Sequence, residues 1–272
     1  MQKFSVLPSE IFLSYWRNRE LIYSLAKREV LGRYRGSMIG IFWSFLTPLL
    51  MLIVYTFVFG VIFKTRWGGG GDSKIEFALV LFAGLMVFNL FAECITRAPT
   101  LIISNVNYVK KIVFPLEILP WVSFLSAIFH MLVSLVVWLI FYLMMFGIPH
   151  LTLFWLPVVL IPLMLFVLGL SWTLASLGVY LRDIGQVIGV LTTVLMFLSP
   201  IFYPITSLPE SYQSLFLLNP LTPIIEQTRD VIIFGKTPNG LGLILATLIS
   251  TMIAWAGLFW FQKTRKGFAD VI

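Results

Sequence analysis

Residues 118–181 read ILPWVSFLSAIFHMLVSLVVWLIFYLMMFGIPHLTLFWLPVVLIPLMLFVLGLSWTLASLGVYL, 64 consecutive positions without Asp, Glu, Lys or Arg. A helix rises about 1.5 Å per residue and a bilayer's hydrocarbon core is about 30 Å thick, so about 20 apolar residues cross it. The stretch therefore holds two crossings joined by a short turn. Its surroundings agree: 59% of the 272 residues are hydrophobic, with 25 Phe and 9 Trp, against roughly 45–50% apolar usage in ordinary globular domains.

Working outward, apolar runs bounded by charges or turn residues predict an all-α integral membrane protein with six spans, near 39–63, 77–95, 117–146, 153–179, 185–203 and 241–261. Residues 1–38 form a separate leader, and 39–272 the membrane domain. Charges at Lys3, Glu10, Arg17, Arg19 and Glu20 break up the N-terminus, which has no compact apolar region of the secretory-signal type. Lys and Arg divide unequally between alternate connections: 14 fall in 1–38, 97–116, 180–184 and the tail after 261, and 5 on the other side. The positive-inside rule then puts both termini in the cytoplasm.

The net charge of +7 does not argue for nucleic acid, because the basic residues flank the spans, where topology and anionic headgroups account for them. GKT at 235–237 is no phosphate loop, since the glycine needed five residues before Gly235 is Asp230. GGGG at 68–71 reads as a flexible outer loop. No His, Cys or carboxylate cluster has metal-binding spacing; His130 stands alone in the third span and Cys94 has no partner for a disulfide. Glu93, Arg97, Glu117, Arg182 and Asp183 fall toward span ends. An ion-coupled flippase would place ionisable groups in mid-span, which disfavours that class.

In the leader, Ile11, Phe12, Tyr15 and Trp16 share one helical face and are followed by basic residues, as in a helix lying in the headgroup plane; a solvated basic leader is the alternative. Gly32, Gly36, Gly40 and Ser44, and then Gly185 and Gly189, repeat every four residues, a spacing that permits close helix contact within the chain or across a dimer. Residues 204–240 carry Pro204, Pro209, Pro220 and Pro223 between short apolar pieces, suited to outer re-entrant helices. Trp138, Phe141, Tyr142, Phe197, Phe202 and Tyr203 are candidate channel aromatics that could stack on sugar faces, the alternative being an interfacial belt or lipid-facing bulk.

The ordered set KREVLGRYRGSMIGIFWSFLTPLL (27–50), SNVNYVKKIVFPLEILP (104–120), YLRDIGQ (180–186) and LNPLTPIIEQTRDVI (218–232) resembles the type-2 ABC permeases that export bacterial cell-surface polysaccharides. O-antigen and capsule exporters are nearest and teichoic-acid exporters next. The resemblance implies a homodimer in the bacterial inner membrane, two cytoplasmic ABC ATPase subunits that bind ATP and Mg, and an undecaprenyl-linked polysaccharide as substrate. It implies no cofactor and no ATPase site on this chain. ATPase docking would fall to 98–111 and the next cytoplasmic turn, through Asn105, Asn107, Tyr108, Lys110, Lys111, Arg182 and Asp183. The leader helix with Tyr15, Trp16 and Arg33 would form an inner gate, and the first and fifth spans would face the channel. A permease for a drug or small lipid, an ion-coupled carrier and a non-transporting scaffold are the other readings.

Overall fold

The computed structural model describes residues 7–62, 74–110 and 114–272. Lys111, the GGGG run and the end of the first predicted span lie outside them. The helices are α1 (Glu10–Arg17), α2 (Arg19–Arg33), α3 (Trp43–Tyr55), α4 (Lys74–Arg97), α5 (Val106–Lys110), α6 (Leu119–Phe146) and α7 (Leu156–Val159). They continue with α8 (Ile161–Tyr180), α9 (Ile184–Phe197), α10 (Glu210–Leu217), α11 (Leu221–Ile232), α12 (Gly240–Thr264) and α13 (Phe268–Val271). No strand occurs among the described residues. Lipid offers backbone amides no partner, and a helix satisfies them within its own segment.

Five helical stretches are long and apolar enough to cross a membrane: Gly40–Phe59, Glu76–Thr100, Leu116–Phe146, Leu151–Tyr180 and Gly240–Val271. The predicted fifth span, 185–203, is realised differently. Its helix α9 has 14 residues, about 21 Å at the standard rise, and gives way to turns over 198–203 that contain Pro200. Proline lacks the amide donor a continuing helix needs.

The centre of the bundle is α4, which packs against α3, α6, α8, α9 and α11. The tightest pair is α8 with α12. A Cβ placed on Gly257 would lie 2.1 Å from the Gly169 carbonyl oxygen, and one on Gly169 would lie 2.6 Å from the Ile253 oxygen, so the two backbones touch. Small residues allow such approach in lipid, where dispersion replaces the hydrophobic drive between helices. Two buried tryptophans tie helices together through their indole N–H groups: Trp138 donates to the Leu79 carbonyl at 3.1 Å and Trp172 to the Glu117 carbonyl at 2.9 Å.

At one end of the bundle meet the segments richest in Lys and Arg. Tyr180 donates to the Thr264 carbonyl at 3.0 Å, and Gly178 lies against the Pro99 backbone. Arg265 donates to Glu117 and to the Phe114 carbonyl, each at 2.6 Å. The Glu117 carboxylate thus opens the third span and is neutralised by an arginine 148 positions away. The opposite end gathers 76–80, 142–152 and 200–235, where Thr152 donates to the Val231 carbonyl at 2.6 Å.

Candidate functional site

Three regions carry the polar chemistry of the bundle. The first is the basic-rich end. After α4 the chain makes two 3-10 turns, Ala98–Thr100 and Ile103–Asn105, and then α5. Pro99 seats this segment on α8, because a Cβ on Gly178 would fall 2.0 Å from the Pro99 oxygen. The second turn, with Arg182 and Asp183, lies beside it, since Gly185 comes 3.9 Å from the Pro99 ring when given a Cβ. Asn105 is spent on the chain itself, donating to the Leu101 carbonyl at 2.8 Å. Tyr108 stacks on Phe114 with centroids 4.2 Å apart and accepts from Arg28 at 2.7 Å. Asn107, Lys110, Arg182 and Asp183 remain exposed. Pro99 thus joins the segment after α4 to Gly178 and Gly185, on either side of the turn with Arg182 and Asp183.

The second region joins the leader to the spans. α2 runs along the first turns of α6: Leu25, Arg28 and Glu29 share a recess with Leu119 and Val122, and Arg33 reaches His130. There Arg33 Nη2 donates to Glu93 Oε1 at 2.5 Å, and His130 Nδ1 lies 3.0 Å from Glu93 Oε2. With Nδ1 donating to the carboxylate, Nε2 accepts from the Tyr34 hydroxyl at 3.2 Å. Burial pushes the Tyr34 phenol above its usual value. Arg97 pairs with Glu29 and lies 3.5 Å from Glu93, so opposite charges alternate along the contact of α2 with α4. His130 is therefore not isolated, and Glu93 is compensated by guanidinium groups. This cluster floors a cavity of about 370 Å³, whose wall includes Ser44, Thr47, Asn89 and Trp43.

The third region is the opposite end. Arg229 of α11 is 1% exposed and donates to the carbonyls of Val80 at 3.0 Å, Pro200 at 2.5 Å and Ile201 at 2.8 Å, and to Glu226 at 3.2 Å. Gly84 makes room for it, since a Cβ there would meet the guanidinium at 2.6 Å. One side chain thus binds α4, α11 and the turn after α9, satisfying carbonyls that the interrupted helix leaves unpaired. Sequence reading missed this role; the signal was Ile225, Ile232 and Ile233 one helical turn to either side of Arg229.

The predicted glycine repeat over 32–40 does not form one helical face, whereas Gly185 and Gly189 both lie in α9. α2 ends at Arg33, and Gly36 and Gly40 have φ of +86° and +58°, so they are turn residues rather than one face of a helix. Their left-handed backbone needs the missing Cβ. A Cβ on Gly32, Gly36, Gly40 or Gly189 would meet nothing within 4 Å. Trp138 and Tyr142 are interior, stacked at 4.8 Å and packed in the core, and Tyr142 also borders a recess with Glu76 and His150. Phe141 is half-buried. Phe197 is exposed, and Phe202 stacks on it at 5.9 Å and on Phe59 at 5.8 Å. Tyr203 donates to the Phe197 carbonyl at 2.6 Å. In the leader, Tyr15 packs at a tilt against Trp121 with centroids 4.7 Å apart, while Trp16 stays exposed.

The family model described as ABC-2 type transporter matches residues 20–234. The chain is 28% identical over 261 residues to an O-antigen export system permease protein of Myxococcus xanthus, covering 94% of this chain and 97% of the relative. To a protein of the same description from Klebsiella pneumoniae it is 26% identical over 255 residues, covering 93% and 95%. To a polysialic acid transport protein of Escherichia coli it is 24% identical over 253 residues, covering 90% and 93%.

Proposed function

The chain belongs to the ABC-2 type transporter family, and on that premise we propose that it is the membrane permease of an exporter for a lipid-linked surface polysaccharide, O-antigen in the first instance. The observation that carries the reading is end-to-end similarity to relatives named for O-antigen export, with 95–97% of their length covered. In this reading the chain works in the bacterial inner membrane with six crossings, α9 being a short fifth, and with both termini cytoplasmic. It pairs with a second copy and with two ABC ATPase subunits that bind ATP and Mg. Largely uncovered α3 and α9 support a surface shared with the second copy.

Asn107, Lys110, Arg182 and Asp183 are the ATPase seat, together with Asn105 and Tyr108 and with Lys111, which follows Lys110 in the sequence. The leader helices α1 and α2, carrying Tyr15, Trp16 and Arg33, are the inner gate, and charged contacts tie α2 to α4. α10 and α11 form the outer rim, held by Arg229. Such a device transports by exchanging two conformations whose balance the ATPase shifts. Similarity to the polysialic acid transport protein favours a capsular polymer as the second reading.

The test is deletion of the gene in a strain whose surface polymer can be labelled. The proposal expects undecaprenyl-linked glycan to accumulate inside and surface polymer to fall, with recovery on complementation. Normal surface polymer with no internal glycan overturns it.

A further inference from the structure

On the outer side of α2, away from the polar cavity, lies a groove of about 370 Å³ lined by Ala26, Val30, Ile41, Leu125, Phe129 and Leu132. Its lining is almost wholly apolar; the exception with a charge is Lys27. Lys27 and Leu31 also line a second recess of about 410 Å³, where Arg28 and Arg35 join them. No acidic side chain lines either one. An apolar trough and a basic notch therefore share a wall.

Helical geometry separates this trough from the polar cavity. At 3.6 residues per turn, Leu125, Phe129 and Leu132 lie on the face of α6 opposite to Ala127, His130 and Ser134. The trough continues into Leu132, Val136 and Leu143, exposed at four- and seven-residue steps along the same face. Its depth is right for a leaflet boundary. α6 has 28 residues, about 42 Å, so some 12 Å stands outside a hydrocarbon core of about 30 Å. Leu125 is about 9 Å from the helix start at that rise, where headgroups give way to chains.

We propose that the trough and notch form a binding site for one anionic phospholipid of the inner leaflet, its acyl chain on α6 and its phosphate among Lys27, Arg28 and Arg35. The occupant is argued from charge and from the continuing apolar face. A glycan carried by a lipid here would be cut off from the cavity by α2 and α6, so the site is not a station of the transported polymer. Its consequence is mechanical: a lipid bridging α2 to α6 braces the leader in the position that Arg33 and Glu93 define. The inference stands on the membrane reading alone, whatever polymer is exported.

Native mass spectrometry of the full-length chain, titrated with phosphatidylglycerol and with phosphatidylcholine, tests it. The proposal expects phosphatidylglycerol to be retained at least tenfold more tightly than phosphatidylcholine. The pair Lys27→Gln with Arg35→Gln should weaken it by about 25-fold, about fivefold for each charge near an anionic headgroup. Ala26→Trp, which fills the trough and keeps the charges, should lower retention of both lipids. Equal retention of the two lipids by the unmodified chain overturns the proposal, as does unchanged retention in the charge variant. Displacement of phosphatidylglycerol by equimolar undecaprenyl phosphate would reassign the site to the carrier lipid. Should the variants fail to fold, the lipid preference and that competition, both on the unmodified chain, still decide.

Discussion

The first and second membrane helices are nearly equal in apolarity and opposite in surroundings. In Glu76–Thr100, 83% of the most apolar window is buried, and in Gly40–Phe59 only 6%. The second helix is walled by α3, α6, α8, α9 and α11, whereas the first touches α4 and α6 along one side and leaves Met51, Val54 and Phe57 open. Hydropathy therefore reports a membrane, and says nothing about which helix is an axle and which is a surface. In a water-soluble protein the exposed one would be a liability. In lipid, or against a second copy, it is a face available for assembly.

The contrast can be broken most severely at the axle's fixed end. Arg229→Met should destabilise the fold by about 3–5 kcal/mol, the cost of removing a buried charged donor from groups that depend on it. The readout is loss of monodisperse protein and a lower melting temperature in detergent. Arg229→Lys should restore only part, because a point charge does not reproduce the planar fork. Next in size, Gly257→Leu should cost about 1–3 kcal/mol by forcing α8 and α12 apart, while Gly189→Leu, facing open space in the chain, should leave the monomer's melting unchanged.

Phe88→Ala and Phe57→Ala sharpen the comparison directly. Phe88 is buried and Phe57 is 56% exposed. Phe88→Ala should cost on the order of 2 kcal/mol, mostly lost packing because lipid already solvates the separated helices. Phe57→Ala should change stability by less than about 0.5 kcal/mol; equal shifts in melting would show that the first helix is as enclosed as the second. The smallest effect on folding belongs to Lys110→Glu, on an exposed side chain. It should leave melting unchanged and lower polymer-stimulated ATPase activity of the assembled transporter; full activity would remove Lys110 from the ATPase seat.

Much of this was legible in the residues. The uncharged stretch from Ile118 to Leu181 became the third and fourth long helices, and the prolines of 204–240 broke that segment into α10 and α11. What was illegible depends on contacts between distant positions. Spacing alone could not distinguish Gly36 and Gly40, which shape a turn, from Gly169 and Gly257, which let helices touch. Equally, Trp138 and Phe197 look alike as aromatics in spans, yet one is interior and the other exposed. His130 looked solitary because Glu93, Arg33 and Tyr34 approach it from two other segments. The length of the fifth helix was legible only in part: 185–203 is uncharged throughout, and the turn containing Pro200 ends its helix early.

The central claim is that this chain forms the route by which a lipid-linked polymer leaves the cell interior. Its most direct test is transport in sealed proteoliposomes containing the chain and its partner ATPase, with labelled lipid-linked glycan supplied on the ATPase side. The account predicts ATP-dependent appearance of the glycan in the lumen, protected from an added glycosidase, and none when ATP is withheld. Robust ATP hydrolysis with no protected glycan, for O-antigen and capsular polymer alike, would contradict it.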